Sequence, residues 1–255
     1  MRVKRMLVKS VIVSVISMAA TFAVASVLNT SAYMADVGSL GAFVTAFGTL
    51  YGIITAFIVV EVWSEFNKIS ELIDREAIGL ERLFRLTLYF RDPKLTKRMK
   101  DAIAGYANII IKSKFKNLAQ NERNVESGKA FRKIAALIRD VKFDDDHDSI
   151  VFNSVVEQYG RVSETRTERL NKSLARLPPF LDAFLYVSSF FMLLFFVIMP
   201  YTNIAYGLVM VGTLTFLIVT VIQLIRDLDN PFAGYWNITP EPFERALKHI
   251  EQDYG

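Results

Sequence analysis

The sequence has 255 residues, of which 52% are hydrophobic and 22% charged, and the two classes are segregated along the chain instead of interleaved. This segregation is typical of a membrane protein with a soluble insertion and argues against an ordinary soluble domain. The absence of cysteine excludes disulfides and thiolate metal sites, and a net charge of +4 without a recognisable basic module gives no indication of nucleic-acid binding.

The first predicted elements are two transmembrane helices within residues 1–63. The chain is uncharged from Ser10 to Tyr33 and carries no charge again from Val37 to Val60. Because about 20 apolar residues are enough to cross a bilayer, we expect spans at about 10–33 and 37–60. Together they form the N-terminal transmembrane pair.

The first apolar stretch has a competing interpretation. A basic start, an apolar stretch and the small residues Ser31-Ala32 also describe a secretory signal peptide. The stretch is longer than a usual signal core, which favours a retained span.

Hydroxyl side chains follow one stripe of the first span. They are Ser10, Ser14, Ser17 and Thr21. Hydroxyls can bond within their own helix and across a helix interface, so we expect this stripe to pack on a neighbouring helix; the alternative is a face toward water.

One face of the second span carries small residues at three- and four-residue spacing. They are Thr45, Gly48, Gly52 and Ala56. Small residues at this spacing allow two helices to approach closely within a membrane, so we assign this face to helix packing.

The opposite face of the second span carries large apolar side chains and then two carboxylates, because each residue turns a helix by about 100°. Its members are Phe43, Phe47, Leu50, Ile54, Phe57, Glu61 and Glu65. One interpretation is that the apolar members face lipid. The other is that this face lines a pore in an oligomer, with an apolar constriction and an acidic ring at the inner mouth.

A further hypothesis concerns the role of Glu61. It lies at the edge of the apolar zone, where an unpaired carboxylate is costly, so an ion pair with a cytoplasmic arginine is an equally good hypothesis.

Residues 64–178 are predicted to form a cytoplasmic helical domain. Its first helix continues from the second span to Asp92-Pro93, with Glu76 on its apolar face. Further helices are expected at Lys94 to about Phe115, at Glu126–Val141, and from about Ser149 toward Pro178-Pro179. The second span and its extension would form one long helix, of the kind that enters a helical bundle.

The acidic run Asp144–Asp148 does not predict a calcium site, because it lacks the alternating ligands, central glycine and terminal glutamate of an EF-hand. We expect a solvated loop in which Asp148 or Ser149 caps the next helix. His147 and His249 have no ligand spacing, and no phosphate loop or nucleophile motif is found. We therefore expect no metal, no cofactor and no enzymatic activity.

The third and fourth spans share the uncharged tract Ala183–Ile225, which Pro200–Asn203 divides at a turn. We predict a C-terminal transmembrane pair at 179–226 and a cytoplasmic C-terminal segment at 227–255. Phe232, Tyr235 and Trp236 in that segment are expected to pack on the cytoplasmic bundle or to lie at the membrane interface.

The distribution of Lys and Arg predicts the orientation. Arg2, Lys4, Arg5 and Lys9 precede the first span, whereas Leu28–Gly41 and Pro200–Asn203 contain no Lys or Arg. With four spans, all 30 basic residues lie on one side, as the positive-inside rule requires. The sequence thus predicts an all-α, multi-pass membrane protein with both termini in the cytoplasm.

The stretch after the fourth span resembles a family motif. Residues Asp229, Pro231, Phe232 and Gly234 stand in the order of the Asp-x-Pro-Phe-x-Gly stretch that follows the last span in the bestrophin-like family of bacterial and plant membrane proteins. Glu76 resembles the family's acidic residue after the second span, and Tyr106 its tyrosine in the next helix. Arg166 and Arg169 resemble the arginine-rich approach to the third span.

The resemblance implies an oligomeric ion channel, since bestrophins mostly conduct chloride through a pore lined by their second membrane helix and gated by calcium. It implies lipid, inorganic ions and further copies of this chain as partners, with a pentamer as one candidate, and a bacterial inner membrane as the location. Only Asp227 and Asp229 stand in the stretch comparable to the calcium-binding cluster, so calcium gating stays open. Selectivity stays open too, because acidic Glu61 and Glu65 in a pore favour cations.

A second hypothesis is a non-conducting membrane scaffold or sensor whose cytoplasmic bundle binds a partner. The large insertion and the lack of charge deep within a span favour it. Ion flux through an oligomer with a continuous axial path distinguishes the two hypotheses.

Overall fold

The structure is a computed structural model that describes residues 2–27, 37–120, 122–142 and 146–254, and these residues form nine α-helices and no strand. The helices are α1 Arg2–Val27, α2 Val37–Leu88, α3 Pro93–Ser113, α4 Lys116–Ala119, α5 Val125–Arg139, α6 Asp146–Leu174, α7 Pro179–Ile198, α8 Ile204–Asp229 and α9 Glu241–Tyr254. The all-α class is confirmed. The expected loop between the first two spans, with Ser31-Ala32, and the acidic residues Asp144-Asp145 lie outside the described residues.

Four helical stretches in the described parts of the chain are long and apolar enough to cross a membrane, as predicted. They are α1, the first half of α2, α7 and α8. Proline at the first helical position of α7 is favourable because that position needs no N–H donor, and Pro200 lies in the break between α7 and α8.

The described residues divide into two compact units. Unit 1 contains those within Met1–Ser64 and Arg176–Asp229, and unit 2 those within Glu65–Ala175 and Asn230–Gly255. Helix α2 has 52 residues and contributes to both.

In unit 1, the hydroxyl stripe of α1 packs on α8. The hydroxyl of Ser10 is fully buried and lies 2.9 Å from both Thr220 Oγ1 and Gln223 Nε2. Ser14 and Thr21 are buried as well, and each donates to a carbonyl one turn earlier in α1. The packing interpretation of this stripe is therefore confirmed.

Unit 2 has one hydrophobic core. Side-chain caps begin two of its helices: Asp92 accepts from Lys94 N at α3, and Asn124 accepts from Ser127 N at α5. The C-terminal helix α9, which the sequence interpretation did not identify, adds Phe243 and Ile250 to this core.

Part of the segment before α9 also packs on this core, as expected. The ring of Phe232 is buried, with its centroid 5.1 Å from that of Phe115, whereas Trp236 remains 46% exposed.

The predicted start of the long helix before the third span is wrong by three residues. Helix α6 begins at Asp146, so Asp148 and Ser149 lie in its first turn and do not cap it. Carboxylates at this end of a helix are favoured by the helix dipole, which allows the helix to extend back into the acidic run.

Candidate functional site

The membrane half of α2 has one face buried within the protomer. Its members recur at spacings of three, four and seven: Val44, Tyr51, Thr55, Ile58 and Val62. The hydroxyls of Tyr51 and Ser189, on α7, are hydrogen-bonded at 2.9 Å, which fixes this face against α7. The parts of α2 that the protomer does not cover are available to lipid or to another chain.

The large apolar face lies beside this buried face and is mostly exposed. Phe43, Leu50 and Phe57 are 52%, 62% and 71% exposed, whereas Phe47 and Ile54 are half-buried. The rings of Phe43 and Phe47 stand edge-on to Phe195 of α7, with centroids 5.3 and 5.9 Å away. This contact holds the first turns of the face against α7, whereas Leu50 and Phe57 remain largely exposed among the described residues.

The two carboxylates that end this face have different surroundings. Glu61 is exposed, and it forms no salt bridge with another described residue. Glu65 is half-buried, and Lys172 Nζ of α6 donates to it at 2.6 Å. The ion pair considered for Glu61 is thus found at Glu65, with a lysine as the partner.

Of the four residues on the small-residue face, one is in close contact with another helix of the protomer. A Cβ added at Gly48 would lie 2.8 Å from Met192 Cε, so the missing side chain makes room for α7. Thr45, Gly52 and Ala56 are exposed, and a Cβ added at Gly52 would meet no atom within 4 Å. Close packing at these three positions therefore requires another chain and stays a prediction.

In unit 2 the glutamate on the apolar face of α2 is the centre of a buried polar cluster. Glu76 is fully buried and accepts from the Tyr106 hydroxyl of α3 and, at 2.5 Å, from Arg169 Nε of α6. Arg166 Nε donates to the Tyr106 oxygen at 3.1 Å. One buried carboxylate thus connects α2 with α3 and α6.

Burial, together with the neighbouring charge of Glu76, raises the pKa of Tyr106 well above its ordinary value. Burial acts to lower the pKa of Arg169, but attraction by Glu76 and the hydrogen bonds to Glu76 and Tyr106 outweigh it and raise that pKa. The phenol therefore stays neutral and the guanidinium charged at any physiological pH.

The motif residues have local structural roles. In unit 1, Asp229 accepts from the backbone N–H of Leu177 at 2.6 Å, which ties the end of α8 to the approach to α7. In unit 2, the carbonyl of Pro231 accepts from Ile238 N at 2.9 Å, and Gly234 N donates to Asn230 O. These bonds fold the chain after α8 into a compact turn that presents Phe232 to the core.

The described residues contain no group of three or more His, Cys, Asp or Glu side chains placed to hold a metal ion. His249 of α9 instead lies 2.9 Å from Glu81 of α2, in an exposed pair.

A family model described as the Bestrophin-like domain matches residues 9–243. The chain belongs to the Bestrophin-like family. The resemblance inferred from the motif after the fourth predicted span is confirmed by this match, which extends from α1 to the beginning of α9. A comparison with curated proteins finds no match.

Solved structures with the Bestrophin-like fold are similar over the whole chain. A variant of a bacterial bestrophin homologue from Klebsiella pneumoniae has 12% identity and a TM-score of 0.69, covering 100% of this chain and 98% of that chain. The same homologue, solved by Zn-SAD phasing, has 11% identity and a TM-score of 0.66, covering 99% and 97%. At these identities the similarity establishes the fold.

Sequence interpretation of this Bestrophin-like chain missed the partners of its charged residues. Lys172 opposite Glu65, and Asp182 opposite Arg226, are far apart in sequence and meet only through the antiparallel register of their helices. Hydrophobic periodicity gives the face of a helix but not its register against a neighbour, so no local signal identified these pairs.

Proposed function

We propose that the protein is a homo-oligomeric ion channel whose pore is lined by the membrane half of α2. The observation that carries this proposal is an exposed apolar row on α2 of a Bestrophin-like chain, formed by Phe43, Leu50 and Phe57 and followed by the exposed carboxylate of Glu61. Apolar side chains around an axis form a constriction that gates by dewetting, and a carboxylate ring at its end attracts cations.

The arrangement of faces on α2 supports a ring of several copies. The face with Val44 and Ile58 is covered by the protomer itself, whereas the large apolar face and Thr45, Gly52 and Ala56 are both exposed. Small residues let a neighbouring helix approach closely, and repetition of one contact around an axis closes a ring. A pentamer is the candidate number.

The proposed orientation has both termini and residues 64–178 in the cytoplasm, with transmembrane pairs at 1–63 and 179–226 and a cytoplasmic segment at 227–255. The supporting observation is the absence of Lys and Arg from Leu28–Gly41 and Pro200–Asn203. A bacterial inner membrane is the proposed location.

We infer a preference for cations. Lys172 neutralises Glu65 at 2.6 Å, so the charge of the proposed mouth comes mainly from Glu61. A ring of uncompensated carboxylates favours cations over anions.

The proposal is tested by reconstitution into liposomes under a KCl gradient. We expect ion flux with a cation-selective reversal potential and a shift of that potential toward zero in Glu61→Gln. Glu65→Gln should shift it in the same direction, because it removes the negative charge that balances Lys172. The exposed Glu164 of α6 provides the matched control, Glu164→Gln, which should leave the reversal potential unchanged.

Absence of flux from an intact reconstituted oligomer would contradict conduction and favour the scaffold or sensor hypothesis. Flux with an unchanged reversal potential in Glu61→Gln would remove Glu61 from the ion path.

A further inference from the structure

A cavity of about 370 Å³ lies in unit 1 between the beginning of α7 and the end of α8. Its lining includes two arginines and two aspartates: Arg176, Arg226, Asp182 and Asp229. The volume is within the range of small-molecule sites, and the formal charge of the lining sums to zero. A ligand that carries both signs of charge fits this lining better than a simple anion or cation.

The central ion pair of the cavity is loose. Arg226 Nη2 and Asp182 Oδ2 are 3.6 Å apart, beyond an ordinary charge-assisted hydrogen bond, and the side chains are 63% and 39% exposed. The guanidinium of Arg226 lies 5.1 Å from the centroid of the Tyr186 ring, which holds it at the cavity edge. Both charges therefore retain unused hydrogen-bonding capacity on the open side of the cavity.

Each helix end carries a partial charge opposite in sign to the side chain in its own terminal turn, Asp182 for α7 and Arg226 for α8, and so stabilises the charge of that side chain. Helix α7 begins at this cavity with its positive dipole end, and α8 ends here with its negative end. The carboxylate of Asp229 is engaged with Leu177 N at 2.6 Å and keeps the two helix ends together. The carboxylate of Asp182 on α7 and the guanidinium of Arg226 on α8 thus supply one full charge of each sign from the two helices that border the cavity.

The position of the cavity argues for a lipid. Charged residues end at Asp182, and α7 then continues without charge to Ile198 while exposing Tyr186, Val187 and Phe190. The cavity is therefore at the polar end of two apolar helices, the level at which headgroups lie, and exposed apolar side chains beneath it are suited to acyl chains.

We propose that this cavity binds the headgroup of a phospholipid that carries a primary ammonium and a phosphodiester, with the phosphate on Arg226 and the ammonium on Asp182. The proposal rests on the membrane insertion of α7 and α8 but not on ion conduction. Arginine recognises phosphate through directed N–H donors, and a primary ammonium donates to a carboxylate, whereas a trimethylated ammonium has no N–H to donate.

The test is native mass spectrometry of the full-length protein taken from nanodiscs of equimolar phosphatidylethanolamine, phosphatidylcholine and phosphatidylglycerol. We expect phosphatidylethanolamine to be retained about tenfold over each of the other two, the ratio equivalent to one charge-assisted hydrogen bond. Equal retention of the three lipids would overturn the proposal without any variant being made.

Variants locate the site. Asp182→Asn should abolish the excess of phosphatidylethanolamine, and Arg226→Gln should lower the retention of all three lipids because each carries a phosphodiester. The control Arg161→Gln, which breaks an exposed pair with Glu157 in unit 2, should change neither. An excess that survives in Asp182→Asn would overturn the assignment. Because the lipid comparison in the unmodified protein needs no variant, a variant that fails to fold leaves the proposal falsifiable.

A soluble competitor distinguishes a lipid from a free headgroup. Glycerophosphoethanolamine, which lacks acyl chains, should not displace the bound lipid; displacement would show a soluble-ligand site and contradict a lipid site. Retention is measured without ion flux, so a failure here is separate from a failure of the channel proposal.

Discussion

Glu76 is the residue on which unit 2 most depends. It lies on the apolar face of α2, is fully buried, and accepts from Tyr106 and Arg169 on two other helices. A buried carboxylate is stable only when its lone pairs are used, and here they are. The sequence placed Glu76 on the apolar face. Its partners could not be predicted, because α3 and α6 meet α2 only in the folded protein.

Replacement of Glu76 by Gln should destabilise the protein strongly. It leaves the guanidinium of Arg169 buried without a counter-charge, which costs about 3–5 kcal/mol. Thermal unfolding in detergent measures the loss. The control is Glu71→Gln on the same helix, which breaks an exposed pair with Arg75 and should cost about 0–1 kcal/mol. Equal melting temperatures for the two variants would contradict the proposed role of the cluster.

The raised pKa of Tyr106 predicts how the stability of the protein responds to alkaline pH. Its pKa is raised in the folded protein, so the unfolded chain loses the phenolic proton first, at about pH 10. The stabilisation is therefore complete below about pH 10 and decreases as the pH rises above that value. The melting temperature of the unmodified protein should fall more steeply there than that of Tyr106→Phe. Parallel curves would show that Tyr106 ionises equally in both states.

At the scale of elements, the contact between α2 and α6 is set by a glycine. A Cβ added at Gly79 would lie 2.7 Å from Val162 Cγ2, and Gln158 Nε2 donates to the Gly79 carbonyl at 3.0 Å. Valine is stiff about its first side-chain torsion, so Val162 moves aside less readily than the flexible Met192 does at Gly48. Close approach at Gly79 therefore fixes the register that also joins Glu76 to Arg169.

A matched pair of glycine substitutions tests this contact. Gly79→Ala should lower stability by about 1–3 kcal/mol, the usual cost of overpacking. Gly105→Ala on α3, where an added Cβ meets nothing within 4 Å, should raise stability by up to about 1 kcal/mol because alanine favours a helix. The two melting temperatures should move in opposite directions. A shift of both in the same direction would show that α6 does not depend on the space at Gly79.

Much of the element order was predictable because the signals are local. The four spans follow from uncharged stretches, Asp92-Pro93 ends one helix and begins the next, and the motif at Asp229 identifies the family. Helix α9 was not identified, although Phe243, Ala246 and Ile250 follow a helical period, because its apolar face is short and charges surround it. Contacts between helices could not be predicted from such local signals.

At the candidate site, too, local patterns were predictable and contacts between helices were not. The composition of the two α2 faces was readable from a 100° rotation per residue. That Phe43 and Phe47 contact Phe195, and that Lys172 neutralises Glu65, depends on neighbours contributed by distant parts of the chain. The sequence thus predicts which side chains share a face but not which of them the protomer itself covers.

At the scale of the whole molecule, the protomer leaves two faces of α2 exposed. Phe57 is 71% exposed on one, and Gly52 has open space on the other. In an oligomeric channel these faces meet a neighbouring copy and the ion path, whereas in a lone scaffold they meet lipid alone. The two hypotheses therefore differ in what surrounds α2.

Cysteine accessibility during conduction tests this difference most directly, because the chain contains no cysteine and each introduced thiol is unique. Leu50→Cys and Phe57→Cys are compared with Phe22→Cys, a similarly exposed position on α1. A cationic methanethiosulfonate reagent should block the current through the two α2 variants and leave the α1 variant unaffected. Current that persists in both fully modified α2 variants would contradict a pore lined by α2.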